Sequence, residues 1–321
     1  MPNYKKLNGK IETLTIDKPG NDHDLRWINI VDAGRKEIDY LRKNFGFNID
    51  HLKASVANAF SQRPMVAEEE GYLFLILHFP TFFKGKVIAG EIEFFISHGY
   101  LVVLHNDNIP ALVDFFDKAK KDQNGLLSYG TESSSTLLYE ILDRLLQSCY
   151  TLIDNNSLEI EVVENLIFDK NQKEAVEKIL NLRRNIINIR KIMQNHKSIL
   201  QKLLTMKSTL VPAEELKVQY GRLIEHSKRI WEMLDNQKEM VDVLNDTNES
   251  LLNDRMNNIM KTLTLFSVIV FPLTLMAGIF GMNAKYMPFV NSRFGFWMIL
   301  AIMALGSWFM LGYFKKKKWL D

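Results

Sequence analysis

One cysteine, Cys149, serves all 321 residues. A disulfide within the chain is therefore excluded, as is a thiolate metal cluster, and the thiol reads as packing within a helix. Proline is scarce in the middle of the chain: Pro212 is the only one between Pro110 and Pro272, which leaves room for long helices. An excess of one charge is missing too. The 40 Lys and Arg stand against 38 Asp and Glu, interspersed rather than gathered on one face, so no nucleic-acid partner is expected. There is no Gly-Lys-Ser/Thr phosphate loop and no His-Glu-x-x-His pair, and the seven histidines are scattered. Neither an enzyme nor a resident cofactor is expected.

The most informative absence is local. Residues 262–284 and 294–314 contain no Asp, Glu, Lys or Arg. Each run reaches the roughly 20 residues that a helix needs to cross about 30 Å of hydrocarbon, so both are expected to span a membrane. Residues 1–16 are polar and alternating, unlike a secretory leader, which predicts that the N-terminal bulk stays in the cytoplasm.

Elsewhere, residues 11–105 carry short alternating or β-branched runs, at 11–16, 73–77 and 101–104, separated by Gly and Asn/Asp turns. These predict strands of a mixed sheet, with short helices over 35–44 and 54–59. From Ile109 the period changes. Ala111, Leu112, Phe115 and Phe116, then Leu137, Leu138, Ile141, Leu142, Leu145 and Leu146, recur at intervals of three and four, as amphipathic helices require. The expected organisation is an α+β domain over 1–130, helical hairpin arms over 131–211 and a break near Pro212. A long helix then supplies a stalk over 213–261 and a first span over 262–284, followed by an outer loop over 285–293, a second span over 294–314 and a basic tail over 315–321.

Leu216, Tyr220, Leu223, Ser227, Ile230, Leu234, Gln237, Val241, Leu244, Asn248 and Leu251 follow an alternating four-three spacing, a stripe that packs another helix. No Gly-Pro turn separates this stripe from the first apolar run. One helix is expected from about 213 to 280, on the order of 100 Å long at 1.5 Å per residue. Lys261 precedes the first span, and Lys315, Lys316, Lys317 and Lys318 follow the second, so both flanks belong in the cytoplasm and the short connection outside.

Two helices per chain enclose no water-filled path, so conduction needs several copies about an axis, ordinarily a closed ring of identical subunits. The four-three stripe suits such a ring. On the first span Asn257, Met260, Thr264, Ser267, Phe271, Thr274, Gly278 and Gly281 share a face that mixes an amide, hydroxyls, glycines and bulky apolar groups. That face either lines a pore or packs closely on the second span through its small residues. Pro272 lies within the span, where neighbours must satisfy the carbonyl it frees.

Gly281-Met282-Asn283 closes the first span, preceded by Phe271-Pro272-Leu273-Thr274 and Ala277-Gly278-Ile279 and followed by Met287-Pro288. The second span closes on Tyr313-Phe314, four lysines and Trp319-Leu320. With Trp27-Ile28-Asn29, Arg63-Pro64 and Gly71-Tyr72-Leu73-Phe74 upstream, the pattern resembles the CorA magnesium-transporter family over nearly the whole chain. The resemblance implies a funnel-shaped homopentamer in the inner cell membrane, with an α+β cytoplasmic domain, a very long pore-lining helix, an outer second span and both termini in the cytoplasm. Mg²⁺ would be the transported ion and a possible regulator. The implied partners are further copies of the chain, the lipid bilayer and divalent cations.

The resemblance also implies roles. Gly281, Met282 and Asn283 would form the ion filter at the outer mouth. Thr274, Phe271 and Asn257 would line the pore, and Met260 and Leu263 would form an apolar constriction able to gate by dewetting. On the residues alone, Asn283 is also a good helix C-cap. Mg²⁺ sheds its six waters reluctantly, so a ring of neutral amide oxygens suits its hydration shell. Without an ATP site, uptake would run on the membrane potential, about 4.6 kcal/mol for a divalent ion at 100 mV, twice the 2.3 per charge.

Three departures stand out. Arg222 aligns where the family has a sensing acid on the long helix, so the regulatory metal site receives no residues here. Glu68, Glu69, Glu70, Asp235, Asp242 and Asp246 read as surface acids. The outer loop carries Ala284, Lys285 and Phe289, then Arg293, where acids are common in the family, which predicts slower capture of external cations. Phe271 stands where methionine is common. Transport of Zn²⁺, Co²⁺ or Ni²⁺ stays open, although Met282, in place of the isoleucine of zinc-transporting relatives, favours magnesium. A membrane scaffold that conducts poorly is the alternative of another class.

Overall fold

A computed structural model describes residues 3–16, 24–56, 62–121, 133–169, 171–206, 208, 210, 214–282, 293–317 and 319. The strands are β1 (Asn3–Lys6), β2 (Ile11–Ile16), β3 (Leu25–Val31), β4 (Met65–Glu69), β5 (Tyr72–Phe83), β6 (Lys86–Ser97) and β7 (Tyr100–His105). They form a seven-stranded sheet in the order β1-β2-β3-β7-β6-β5-β4. β3 and β7 are parallel, with Ile30 opposite Leu104, and the remaining neighbours are antiparallel. The expected mixed sheet is therefore present. Lys84 and Gly85 join β5 to β6 at φ 47° and 78°, as a two-residue hairpin turn demands.

The sheet is covered on both faces, so residues 72–81 of β5 are buried without alternation. On one face Ile28, Ile30, Phe74, Ile76, Phe95 and Leu104 form a core with Leu41 and Leu52 from helices α1 (Arg35–Phe45) and α2 (Ile49–Ala54). The short helix predicted over 54–59 begins earlier, because the Asn48 side chain caps it by accepting from the Asp50 N–H at 3.0 Å. Residues 57–59 lie outside the described ones.

Helices α3 (Pro110–Lys120), α4 (Ser134–Phe168), α5 (Gln172–Met193) and α6 (His196–Thr205) follow. Ser133 caps α4 by accepting from the Thr136 N–H. Cys149 is buried in α4 near Met193, and burial pushes its thiol up to about 12, so it is inert packing as expected. His196 opens α6 fully buried, edge-on to Phe79.

The expected long helix is continuous: α7 runs over Glu214–Phe280, 67 residues, and α8 over Gly295–Lys316. The chain divides into compact units over 1–245 and 246–321, and α7 contributes to both. In the first unit the four-three stripe is consumed within the chain. Tyr220, Leu223, Ile230, Leu234 and Val241 are at most 1% exposed. The Tyr220 hydroxyl donates to the Ser135 carbonyl at 2.7 Å. Gln237 Nε2 donates to the Ile153 carbonyl and Ser157 Oγ, while Asn156 Nδ2 reaches Gln237 Oε1. Asp235 and Asp242, read as surface acids, pair with Arg190 and Arg183 of α5 at 2.8 and 3.2 Å. From Tyr220 to Leu244 the helix that packs on this stripe is α4 of the same chain, with α5 paired beside it.

Candidate functional site

The second unit holds the two apolar segments, each in a helix long and apolar enough to cross a membrane. Along this part of α7 the shielded positions are Leu265, Ile269, Pro272, Leu273, Met276 and Phe280, with Ser267 alone on another face; along α8 they are Gly295, Ile299, Met303, Ser307, Met310 and Phe314. Both sets recur at three and four residues, so the two helices pack on each other along these stripes.

That packing decides between the two roles open to the mixed face. At 100° per residue, Asn257, Met260, Leu263, Thr264, Ser267, Phe271, Thr274, Gly278 and Gly281 occupy about 120° of arc on the opposite side of α7. All are exposed except Ser267, which is half-buried, and Phe271 is 72% exposed. The mixed face is turned away from α8 rather than packed on it. Its small residues are not there for close approach to α8.

The hydroxyls on this face have a further property. Thr264 Oγ1 donates to the Met260 carbonyl at 2.8 Å, Ser267 Oγ to Leu263 at 2.9 Å and Thr274 Oγ1 to Val270 at 2.9 Å. Each proton is committed to its own helix, so the oxygen lone pairs point outward as acceptors. A hydrated cation presents donors, its bound waters, to such a surface.

At the far end, the Gly281 N–H donates to the Ala277 carbonyl at 2.9 Å and that of Met282 to Ile279 at 3.2 Å, which closes the helix. A Cβ on Gly281 would lie 3.0 Å from the Ala277 carbonyl oxygen, so a larger residue there would have to shift the final turn by a few tenths of an ångström. Met282 and Arg293 are exposed. Asn283 and Lys285 lie outside the described residues.

At the other end of the segment Asn257, Met260 and Thr264 line a cavity of about 560 Å³ together with Asp254, Asn258, Lys261 and Trp319. Trp319 is held by its N–H donating to the Phe314 carbonyl at 3.0 Å and by stacking on the Phe314 ring. The reading of the sequence missed this position for Trp319. The 254, 257, 258, 261 spacing could have grouped the other members.

Among the described residues no group of three acidic, histidine or cysteine side chains is placed to hold a metal. The nearest approach lies in the sheet, where His78 Nε2 and Glu91 sit 2.9 Å apart. Burial, reinforced by Glu91, pushes the Glu93 carboxyl well above the usual range. Arg222, at the position of the expected sensing acid, is exposed and hydrogen-bonds Tyr139.

The sequence model of the family described as CorA-like Mg²⁺ transporter protein matches residues 22–316. The chain is 29% identical over 297 residues to the cobalt/magnesium transport protein CorA of Thermotoga maritima, spanning 92% of this chain and 83% of that one. It is 25% identical to the protein of the same name from Methanocaldococcus jannaschii, over 93% of this chain and 92% of the relative. Among solved structures, the fold is similar to the complete CorA magnesium transporter of M. jannaschii, with TM-score 0.85, 24% identity and 96% of each chain covered. It is also similar to the full-length CmaX protein, with TM-score 0.73, 18% identity and 94% and 91% coverage.

Proposed function

Because the chain belongs to the CorA-like Mg²⁺ transporter family, we propose that it forms a homopentameric ring in the inner membrane, with both termini cytoplasmic, and passes hydrated Mg²⁺ down its electrochemical gradient. The observation that carries this reading is the exposed mixed face of α7, turned away from α8 and offering acceptor oxygens. In a ring that face borders the axis. Asn257 then forms a lower polar ring, Met260 and Leu263 an apolar constriction, Phe271 a narrow point and Thr274 an upper polar ring. Gly281, Met282 and Asn283 form the filter, where neutral oxygens bind the hydration shell without stripping it. Mg²⁺ also serves as the regulator, at a site to which no residue is assigned.

The test is Mg²⁺ entry into liposomes holding the purified chain under an inside-negative potential. Uptake that needs the protein and falls about tenfold in Asn283→Ala, the loss of about 1.4 kcal/mol of selective binding, supports the reading. An inert wild-type protein overturns it. Co²⁺ is the second candidate ion, because the similar proteins from T. maritima and M. jannaschii carry cobalt in their names. Competition of Co²⁺ against Mg²⁺ in the same liposomes ranks the two.

Lys285 and Arg293 place positive charge at the mouth, and like charge slows cation capture. Lys285→Glu is expected to speed uptake several-fold at low ionic strength and little at high, where the Debye length shrinks to a few ångströms. Equal rates at low salt would remove the loop from the mechanism.

A further inference from the structure

The first unit contains a cleft of about 730 Å³ between α4, α5 and the β5–β6 turn, within the volume range of small-molecule sites. No residue of the proposed ion path lines it. We propose that this cleft binds an organic cation with an apolar body, its ammonium group among the carboxylates of Glu159, Glu174 and Glu177 and its apolar part against Leu152, Ile189 and Phe82.

The register of two antiparallel helices sets the arrangement. Lys178 Nζ and the Glu159 carboxylate lie 3.6 Å apart, which places residue 159 of α4 level with residue 178 of α5. Counting from that pair, Asn155 and Asn156 stand level with Asn181 and Leu182, and Leu152 stands level with Asn185. Beyond them Asn188 Nδ2 donates to the Val87 carbonyl at 3.3 Å, which fixes the β5–β6 turn beside Ile189. The cleft therefore grades from carboxylates, through amides, to an apolar end. Lys178 to Ile189 spans roughly 16 Å along the helix axis at 1.5 Å per residue.

Charge and hydrogen bonding agree with the gradient. Three carboxylates face one ammonium, that of Lys178, which leaves two negative charges in the cleft. Glu174 already accepts from Asn171 Nδ2 at 2.6 Å, whereas Glu177 pairs with no cation among the described residues. Asn185 Oδ1, in the amide zone, has no donor. At the apolar end Phe82 is 59% exposed beside Val87. A simple metal ion has no use for an apolar wall, and an anion is repelled by the carboxylates. An ammonium carried on a hydrocarbon or aromatic body matches all three zones.

The probe is 4-phenylbutylammonium, titrated calorimetrically into the purified full-length protein in lipid nanodiscs. Saturable binding at one site per chain is expected, weakened about tenfold by Glu177→Gln and by Phe82→Ala, each the loss of one contact of about 1.4 kcal/mol. Butylammonium, which lacks the ring, and 4-phenylbutyrate, which reverses the charge, should each bind at least tenfold more weakly on the same scale. Both substitutions are at exposed positions, and circular dichroism of each variant verifies its fold. The absence of a saturable signal overturns the proposal. So does binding indifferent to Glu177→Gln, or 4-phenylbutyrate binding as tightly as the amine, because either makes the cleft a nonspecific greasy surface.

Discussion

The apolar side chains on the two parts of α7 meet opposite fates. Between Tyr220 and Leu244 the stripe is sealed against α4 and α5, with Leu234 at 0% exposure. Between Leu263 and Leu275 large apolar groups stand open, Phe266 at 66% and Leu275 at 65%. The first part has found its partners within the chain. The second, shielded only along the stripe that meets α8, is completed by what lies outside a single chain, lipid on one side and, in the proposed ring, water and further copies on the other.

The sharpest way to break this contrast is a pair of truncations. Leu234→Ala should cost about 3 kcal/mol of stability, as expected for a cavity in a packed core, while Leu263→Ala should cost less than about 0.5. Denaturant unfolding followed by circular dichroism gives both numbers. Equal losses would mean that the open half is packed as tightly as the sealed one.

Acid should separate the units by nearly as much. Burial, reinforced by the neighbouring His78 ring, lowers the His196 imidazole from its ordinary 6.5 to about 4, although backbone groups of Met193, Ile192 and His78 offset part of the shift. The unfolded chain takes up that proton first. Stability is therefore full above pH 6.5 and lost as the pH falls towards 4, by on the order of 3 kcal/mol over that window. The apolar segments carry no Asp, Glu or His and should not respond. His196→Phe is expected to reduce the pH dependence of unfolding between pH 6.5 and 4, leaving the part due to His105 and His51, which burial also lowers, and an unchanged slope would remove His196 as a source.

Gln237→Ala should cost about 2 kcal/mol, because it leaves the Asn156 amide and the Ile153 carbonyl buried with one partner fewer. The smallest effect belongs to Thr264→Val in the open half. Its hydroxyl bonds only to its own helix, so stability should move by less than about 0.5 kcal/mol. A larger loss in thermal melts would show that Thr264 is bonded elsewhere in the assembled protein.

Much of this was legible in the residues. An uncharged run of the right length declares an apolar helix whatever surrounds it, and the lack of Gly or Pro between Glu214 and Phe271, Gly221 apart, permits one unbroken rod. The owner of the partner helix was not legible. Four-three spacing says that a helix packs on Tyr220, Leu223 and Leu234, but two copies of a chain and two segments of one chain produce the same pattern. The orientation of the mixed face was hidden for a similar reason: small and hydroxyl residues suit both a pore and a close helix contact, and only the shielding of Leu265 and Met276 on the other side of α7 separates the two. α2 starts at Ile49, earlier than the sequence suggests, because a six-residue helix offers only Ile49 and Leu52 as an apolar signal and its start is set by the Asn48 cap. Gly281 and Met282 close α7, and their role in a filter, like that of Asn283 and Lys285, remains a proposal from sequence.

The amides of Gln237 and Asn156, locked together in an otherwise greasy seam, work like a key in a shaft. Sliding α7 by one turn, about 5.4 Å, would strand both groups without partners. The two amides therefore hold α7 in its register against α4, and displacement along the helix axis is resisted at this point of the seam.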